Sequence, residues 1–227
     1  MNVAFFFTER VRIIRYYNDN AVFPFTETQR KIEAKEPPYD CPPYSEDGEP
    51  AFLEEWLDAD TGIELLGRTC ISMLSASLKL YLETWEKELR IKWKKNEKRD
   101  AWRKGFSNGY LKALAERRGV ALEKSAADLS IVEQIFLARN RDQHPERITS
   151  MSVTHSSRDM RKYPKPFFVT DRERARYEKG EMRAFDLLIS TVNISPKLLH
   201  QAIEESEKLV EWLEPQFIKA KYPNARP

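Results

Sequence analysis

Seven glycines in 227 residues leave little material for loops that hold phosphates with their backbone, or for a turn-dense β-sandwich. Gly62 and Gly67 bracket Ile-Glu-Leu-Leu ahead of Arg68-Thr69, close to a phosphate-loop pattern. The lysine is missing, no strand precedes it, and Ile63, Leu65 and Leu66 suit a buried helix. The two cysteines, Cys41 and Cys70, form no CxxC pair, which excludes a zinc ribbon or thioredoxin motif and suits a reducing compartment. His144, His155 and His200 lie far apart with no HExxH and no clustered carboxylates, so neither a metal site nor a cofactor is expected. No window reaches about 18 apolar residues, and Phe5-Phe6-Phe7 gives way at once to Glu9, Arg10, Arg12 and Arg15. The expectation is a cytoplasmic protein without a membrane partner, in which the sequon Asn193-Ile194-Ser195 is idle.

What the chain has in quantity is helical periodicity. Phe7, Val11, Ile14 and Tyr17 follow helical spacing within residues 4–17, with a strand through Val11 and Ile13 as the weaker option. Residues 30–50, with Pro-Pro at 37–38 and 42–43 and many acids, predict a loop or linker. The division expected is an N-terminal helical segment plus linker over 1–50 and a helical domain over 51–227. From Phe52 to about Trp93, apolar residues recur at three- and four-residue steps, with a break or kink expected at Gly62 and Gly67. A second helix is expected near 98–118, carrying Trp102, Phe106, Tyr110 and Leu114 and ending at Gly119. A third follows Ser125 as cap, then a loop over 145–170. A fourth is expected over about 171–192 and a fifth over 196–214, opening on Pro196. With no strand ladder and no repeat, the fold class is all-α: a helical bundle of about five main helices whose first bundle helix is long and kinked.

The third helix carries the chemistry. Leu129, Val132, Ile135 and Phe136 define its apolar face, and Arg139 projects from that stripe. A guanidinium there needs either a buried carboxylate or a face that becomes a site or an interface. Pro145 biases His144 out of the helical region, so the helix ends there and Arg139 and His144 can converge. Arg139-Asn140-x-x-x-His144 thereby places a phosphate-binding fork near an imidazole, the side chain whose unperturbed pKa lies closest to neutrality. That pairing suits RNA cleavage without a metal. A base takes the ribose 2′-OH proton, the oxyanion attacks the adjacent phosphate, and a cation stabilises the developing charge. His144 serves as general base or acid, Arg139 as phosphate clamp, and Asn140 orients His144 or holds a phosphate oxygen.

With this motif at the end of an amphipathic helix in an all-α chain, the sequence resembles the HEPN superfamily. The resemblance implies a compact helical domain over about residues 51–214, and a homodimer that brings two copies of the motif into one cleft. It also implies metal-independent endoribonuclease activity of the kind found in toxin–antitoxin, phage-defence or RNA-processing systems, with an antitoxin or regulatory protein as a further partner. Some toxin members carry a tyrosine soon after the histidine. Here Pro145-Glu146-Arg147 follows, so modification of that tyrosine does not carry over. The alternative function is a non-catalytic helical module that binds RNA or a partner protein.

The charge sum of 38 basic against 36 acidic residues conceals a strong segregation. Residues 33–64 hold eleven acids and one lysine, residues 90–104 eight bases and two acids, and residues 139–183 twelve bases and seven acids. Arg141, Arg147, Arg158, Arg161 and Lys162 are the candidate RNA-binding cations, interleaved with Lys165, Tyr163, Phe167 and Phe168 in a mixture that suits single-stranded nucleic acid. The acidic segment is a candidate cover for a basic groove. Thr154-His155-Ser156-Ser157 sets a nucleophile beside a base without an orienting acid, and His200, on the Leu198–Ile203 helix, is expected to be structural.

Overall fold

The computed structural model describes residues 2–42, 48–144, 152–180 and 190–223. Its described residues are mostly helical and contain no named strand. One isolated antiparallel bridge joins Thr154 to Thr191. The longest described helices are α1 (Val3–Ala21), α2 (Phe23–Ala34), α3 (Leu53–Glu88), α6 (Leu129–Gln143) and α9 (Pro196–Lys221). Shorter pieces fill the gaps: α4 (Glu97–Arg103), a π-helical turn (Phe106–Leu111), α5 (Lys112–Glu116), α7 (Ser157–Lys162) and α8 (Asp171–Glu178).

The central member is α3, about 54 Å long at 1.5 Å per residue. It touches α1, α2, α6 and α9. Cys70, Ile71, Leu74, Leu78 and Leu82 are fully buried along it, where they meet Val11 and Ile14 of α1, Val132 and Ile135 of α6, and Leu209 and Leu213 of α9. The break expected at Gly62 and Gly67 does not occur, because α3 runs unbroken through both. The glycines instead allow close approach. A Cβ on Gly67 would lie 2.1 Å from the carbonyl oxygen of Ile194, and one on Gly62 would strike the ring of Phe25.

Several boundaries move for physical reasons. The loop expected from Arg30 starts after Ala34, because α2 packs half-buried residues against α3 and Lys35 ends it in the left-handed region. The N-terminal segment contributes Val3, Phe7, Val11 and Ile14 to the same core as α3 and α9. The single helix expected over 98–118 is three pieces, with Gly105 at φ +112° interrupting it. Asp128, not Ser125, caps α6, accepting from Ser130 and Ile131 N–H, while Ser125 Oγ accepts from Ala127 N–H. The expected loop at 145–170 contains α7, capped by Ser156. The helix expected over 171–192 ends at Glu178. Ser190 and Val192 pair instead with His155 and Val153 through backbone hydrogen bonds. Pro215 does not stop α9, which continues to Lys221. The only bond it forfeits is to the carbonyl of exposed Glu211, which water can satisfy.

Glu214 locks the layers together. Its buried carboxylate accepts from Tyr81 Oη at 2.9 Å, Trp85 Nε1 at 2.8 Å and the Ala4 N–H at 3.3 Å. One α9 side chain thus binds two residues of α3 and an orphan amide at the start of α1. Burial and the adjacent carboxylate push the Tyr81 hydroxyl far up.

Candidate functional site

Arg139 and Asn140 reach the wall of a cavity of about 880 Å³ between α3, the end of α4, α6 and α7. Six cations line it (Lys79, Arg103, Lys104, Arg139, Arg158 and Lys162) against three acids, Glu83, Glu133 and Asp159. Arg139 is half-buried and makes no ion pair among the described residues. Its Nη1 donates to Asn140 Oδ1 at 2.9 Å, which holds the guanidinium beside the cavity. Of the two outcomes open to an arginine on this face, it has no buried carboxylate partner among the described residues.

Arg141 and Asp142, in the same turn of α6, are tied to other segments and do not line the cavity, whereas Gln143 does. Asp142 Oδ1 accepts from Arg68 Nε at 3.1 Å, and Arg141 Nε donates to the Thr154 carbonyl at 2.8 Å. Arg68 is 3% exposed and also meets Glu64 Oε2 at 3.3 Å, so the residue that breaks the phosphate-loop pattern is an internal tie between α3 and α6. His144 forms the C-cap of α6, as the proline-based reading expected. It is exposed and does not line the cavity.

Glu133 sits at the cavity floor, 1% exposed. Its Oε2 accepts from Ser107 N–H at 2.6 Å, and Lys162 Nζ stands 3.4 Å from Oε1. Gly105 makes this possible, since a Cβ there would fall 2.2 Å from Oε1. Trp102 supplies an aromatic wall. It is stacked on Tyr110 with centroids 4.5 Å apart and has Lys79 Nζ 5.8 Å from its ring centroid.

The proposed RNA-binding cations divide. Arg158 and Lys162 project from α7 into the cavity beside Arg139. Arg161, on the same short helix, is exposed and does not line it. Arg141 is committed to the Thr154 carbonyl. Arg147 lies outside the described residues. Of the three aromatics expected to offer stacking surfaces here, Phe168 is fully buried, Phe167 is half-buried under Arg174, whose guanidinium lies 5.6 Å from its ring centroid, and Tyr163 is half-buried with Lys162 Nζ 5.2 Å from its ring centroid. Trp102, Lys79, Lys104 and Glu133 also belong to the site, although no sequence motif marks them. The basic run at 90–104 was visible in sequence, but nothing in sequence brought it beside α6.

His155 is structural. Its buried Nε2 donates to the Phe168 carbonyl at 2.9 Å, and burial holds the imidazole below its ordinary pKa. His200 Nε2 lies 2.9 Å from Asp19 Oδ1, joining α9 to α1. None of the described residues of 33–64 lines the cavity, and residues 43–47, with Glu46 and Asp47, lie outside the described residues. The described residues contain no cluster of histidine, cysteine or carboxylate side chains suited to a metal, and no described helix is long and apolar enough to cross a membrane. No family model, curated protein or solved structure matches the chain.

Proposed function

We propose that the chain is a metal-independent endoribonuclease of the HEPN type, active as a homodimer. The observation that carries this is the placement of Arg139 and Asn140, with no ion-paired carboxylate among the described residues, on the wall of a cavity where cations outnumber acids two to one. Arg139, with Arg158 and Lys162, binds the scissile phosphate and stabilises the charge on its oxygens as the 2′-oxygen attacks. His144 stands at the end of the same helix, beyond the cavity wall, and serves as the proton carrier. Bringing a second α6 terminus to the first is the role assigned to the dimer. A regulatory protein that occupies the cavity would silence the site.

The position of His144 favours one other reading, a non-catalytic module that binds RNA through the same cavity or docks a partner protein there. Incubating purified protein with RNA in chelator separates the two. Cleavage that disappears in both Arg139→Ala and His144→Ala supports the nuclease. Cleavage retained in both variants refutes the assignment, and intact RNA that binds with a steep salt dependence favours the module.

A further inference from the structure

We propose that a single-stranded polynucleotide passes from the first cavity over Lys104 into a second basic groove, so that the protein recognises an extended strand rather than one phosphate. This rests on the RNA reading of the first cavity. The second groove, about 620 Å³, lies on the other side of the α4 ridge, and Lys104 lines both. Its acids are occupied by their own neighbours. Arg117 pairs with Glu97, Lys112 Nζ lies 3.9 Å from Glu116, and Arg103 lies 3.6 Å from Asp100. Lys94, Lys95 and Lys104 are exposed and make no ion pair among the described residues. In the first cavity exposed Lys79 and Arg158 and half-buried Arg139 likewise make no ion pair among the described residues. The unpaired cations therefore form two groups, with Lys104 between them.

Local packing builds this arrangement. A Cβ on Gly109 would lie 2.0 Å from the Ala101 carbonyl oxygen, so only glycine lets the π-helical turn press directly on α4. Gly105, at φ +112°, breaks the helix directly after Lys104, which lines both concavities. Concave channels edged by lysine suit a flexible backbone that can follow them, and half-buried Trp102 adds aromatic surface to the wall that a splayed base can contact. A duplex is convex and keeps its bases inside. An acidic polypeptide has the charge but gains nothing from the aromatic wall or from the Asn140 and Gln143 amides that line the first cavity.

The test uses the full chain and 2′-O-methyl oligoribonucleotides, which lack the attacking hydroxyl, at lengths of about 4 and about 12 nucleotides, within the span of known single-strand sites. Fluorescence anisotropy should show the longer strand binding at least about tenfold more tightly. A Lys94→Glu/Lys95→Glu variant should lose that gain yet bind the short strand as before. Its salt slope on the longer strand should fall by roughly 0.7 per phosphate contact removed. A thermal melt confirms folding, since both lysines are exposed. Equal affinity for both lengths, or a double variant that keeps the gain, overturns the track. Displacement of the longer strand by polyglutamate at equal monomer concentration also overturns it and assigns the groove to an acidic polypeptide. If the wild type binds neither strand, the RNA reading of the first cavity fails as well.

Discussion

Arg68 and Asp142, 74 residues apart in sequence, meet at 3.1 Å and join the middle of α3 to the last turn of α6. Glu64 completes the set. It accepts from Arg68 Nη1 at 3.3 Å and, at 3.4 Å, from the Asn193 amide. The tie lies three residues after Arg139 and two before His144, so it fixes the helix end that carries the motif while neither motif end makes an ion pair among the described residues.

Removing Arg68 strands two carboxylates, each about a quarter exposed. A fully buried pair broken this way costs about 3–5 kcal/mol. Partial hydration here lowers the expectation for Arg68→Met to about 2–3 kcal/mol. Asp142→Asn leaves Arg68 with Glu64 and should cost about 1 kcal/mol. Urea unfolding measures both.

Arg139→Ala should behave in the opposite way. The side chain is half-exposed and its one hydrogen bond among the described residues is to the adjacent Asn140, so stability should change by no more than about 0.5 kcal/mol. RNA binding and cleavage should fall sharply. A loss of stability comparable to that of Arg68→Met would show that Arg139 is a packing residue.

The contrast between these arginines shows what sequence could reveal. Arg139 stood out because one helix suffices to place it on an apolar face. Arg68 lies among apolar residues in the same way, but its partner is 74 residues distant and no local pattern points to Asp142. The long helices were legible because α3 and α9 repeat their apolar residues over many turns. Helix 98–118 was not, because the π-helical turn keeps the apolar spacing of Trp102, Phe106 and Tyr110 while changing the backbone. The cavity needed tertiary structure, since Lys79, Lys104, Arg139 and Arg158 come from four different segments.

Glu214→Ala should be among the most damaging single substitutions. It leaves the buried Tyr81 hydroxyl and Trp85 N–H without an acceptor and frees the first turn of α1. The expected loss is about 3 kcal/mol or more, read from denaturant unfolding. A loss below about 1 kcal/mol would mean that these donors find other partners.

Acid should weaken the fold through His155. Burial lowers its folded pKa, opposed by the Phe168 carbonyl, Asp159 and Glu173 and aided by Arg141. Above the unfolded value, about 6.5, the ring is neutral in both states and its contribution is complete. As pH falls below that value the unfolded chain takes up a proton that the folded chain refuses. Stability should therefore drop from about pH 6.5 downward, at up to about 1.4 kcal/mol per pH unit for one proton. His155→Gln should flatten the slope in that window, as measured by unfolding at a series of pH values.

Gly62 and Gly67, five residues apart on α3, should respond differently to alanine. Helix propensity alone favours both substitutions by about 1 kcal/mol. At Gly62 the added methyl meets Phe25 ring atoms at 2.6–2.9 Å, and this side chain can rotate away within the α2–α3 contact. At Gly67 the obstacle is the Ile194 backbone carbonyl at 2.1 Å, in a segment held by the Val192–Val153 and Asn193–Phe168 hydrogen bonds. Relief there requires that segment to move, and with it Asn193 and its bond to Glu64. Gly62→Ala should lie within about 1 kcal/mol of the parent, whereas Gly67→Ala should lose about 2 kcal/mol or more. Equal unfolding midpoints for the two variants would show that the 190–194 segment yields as easily as a side chain.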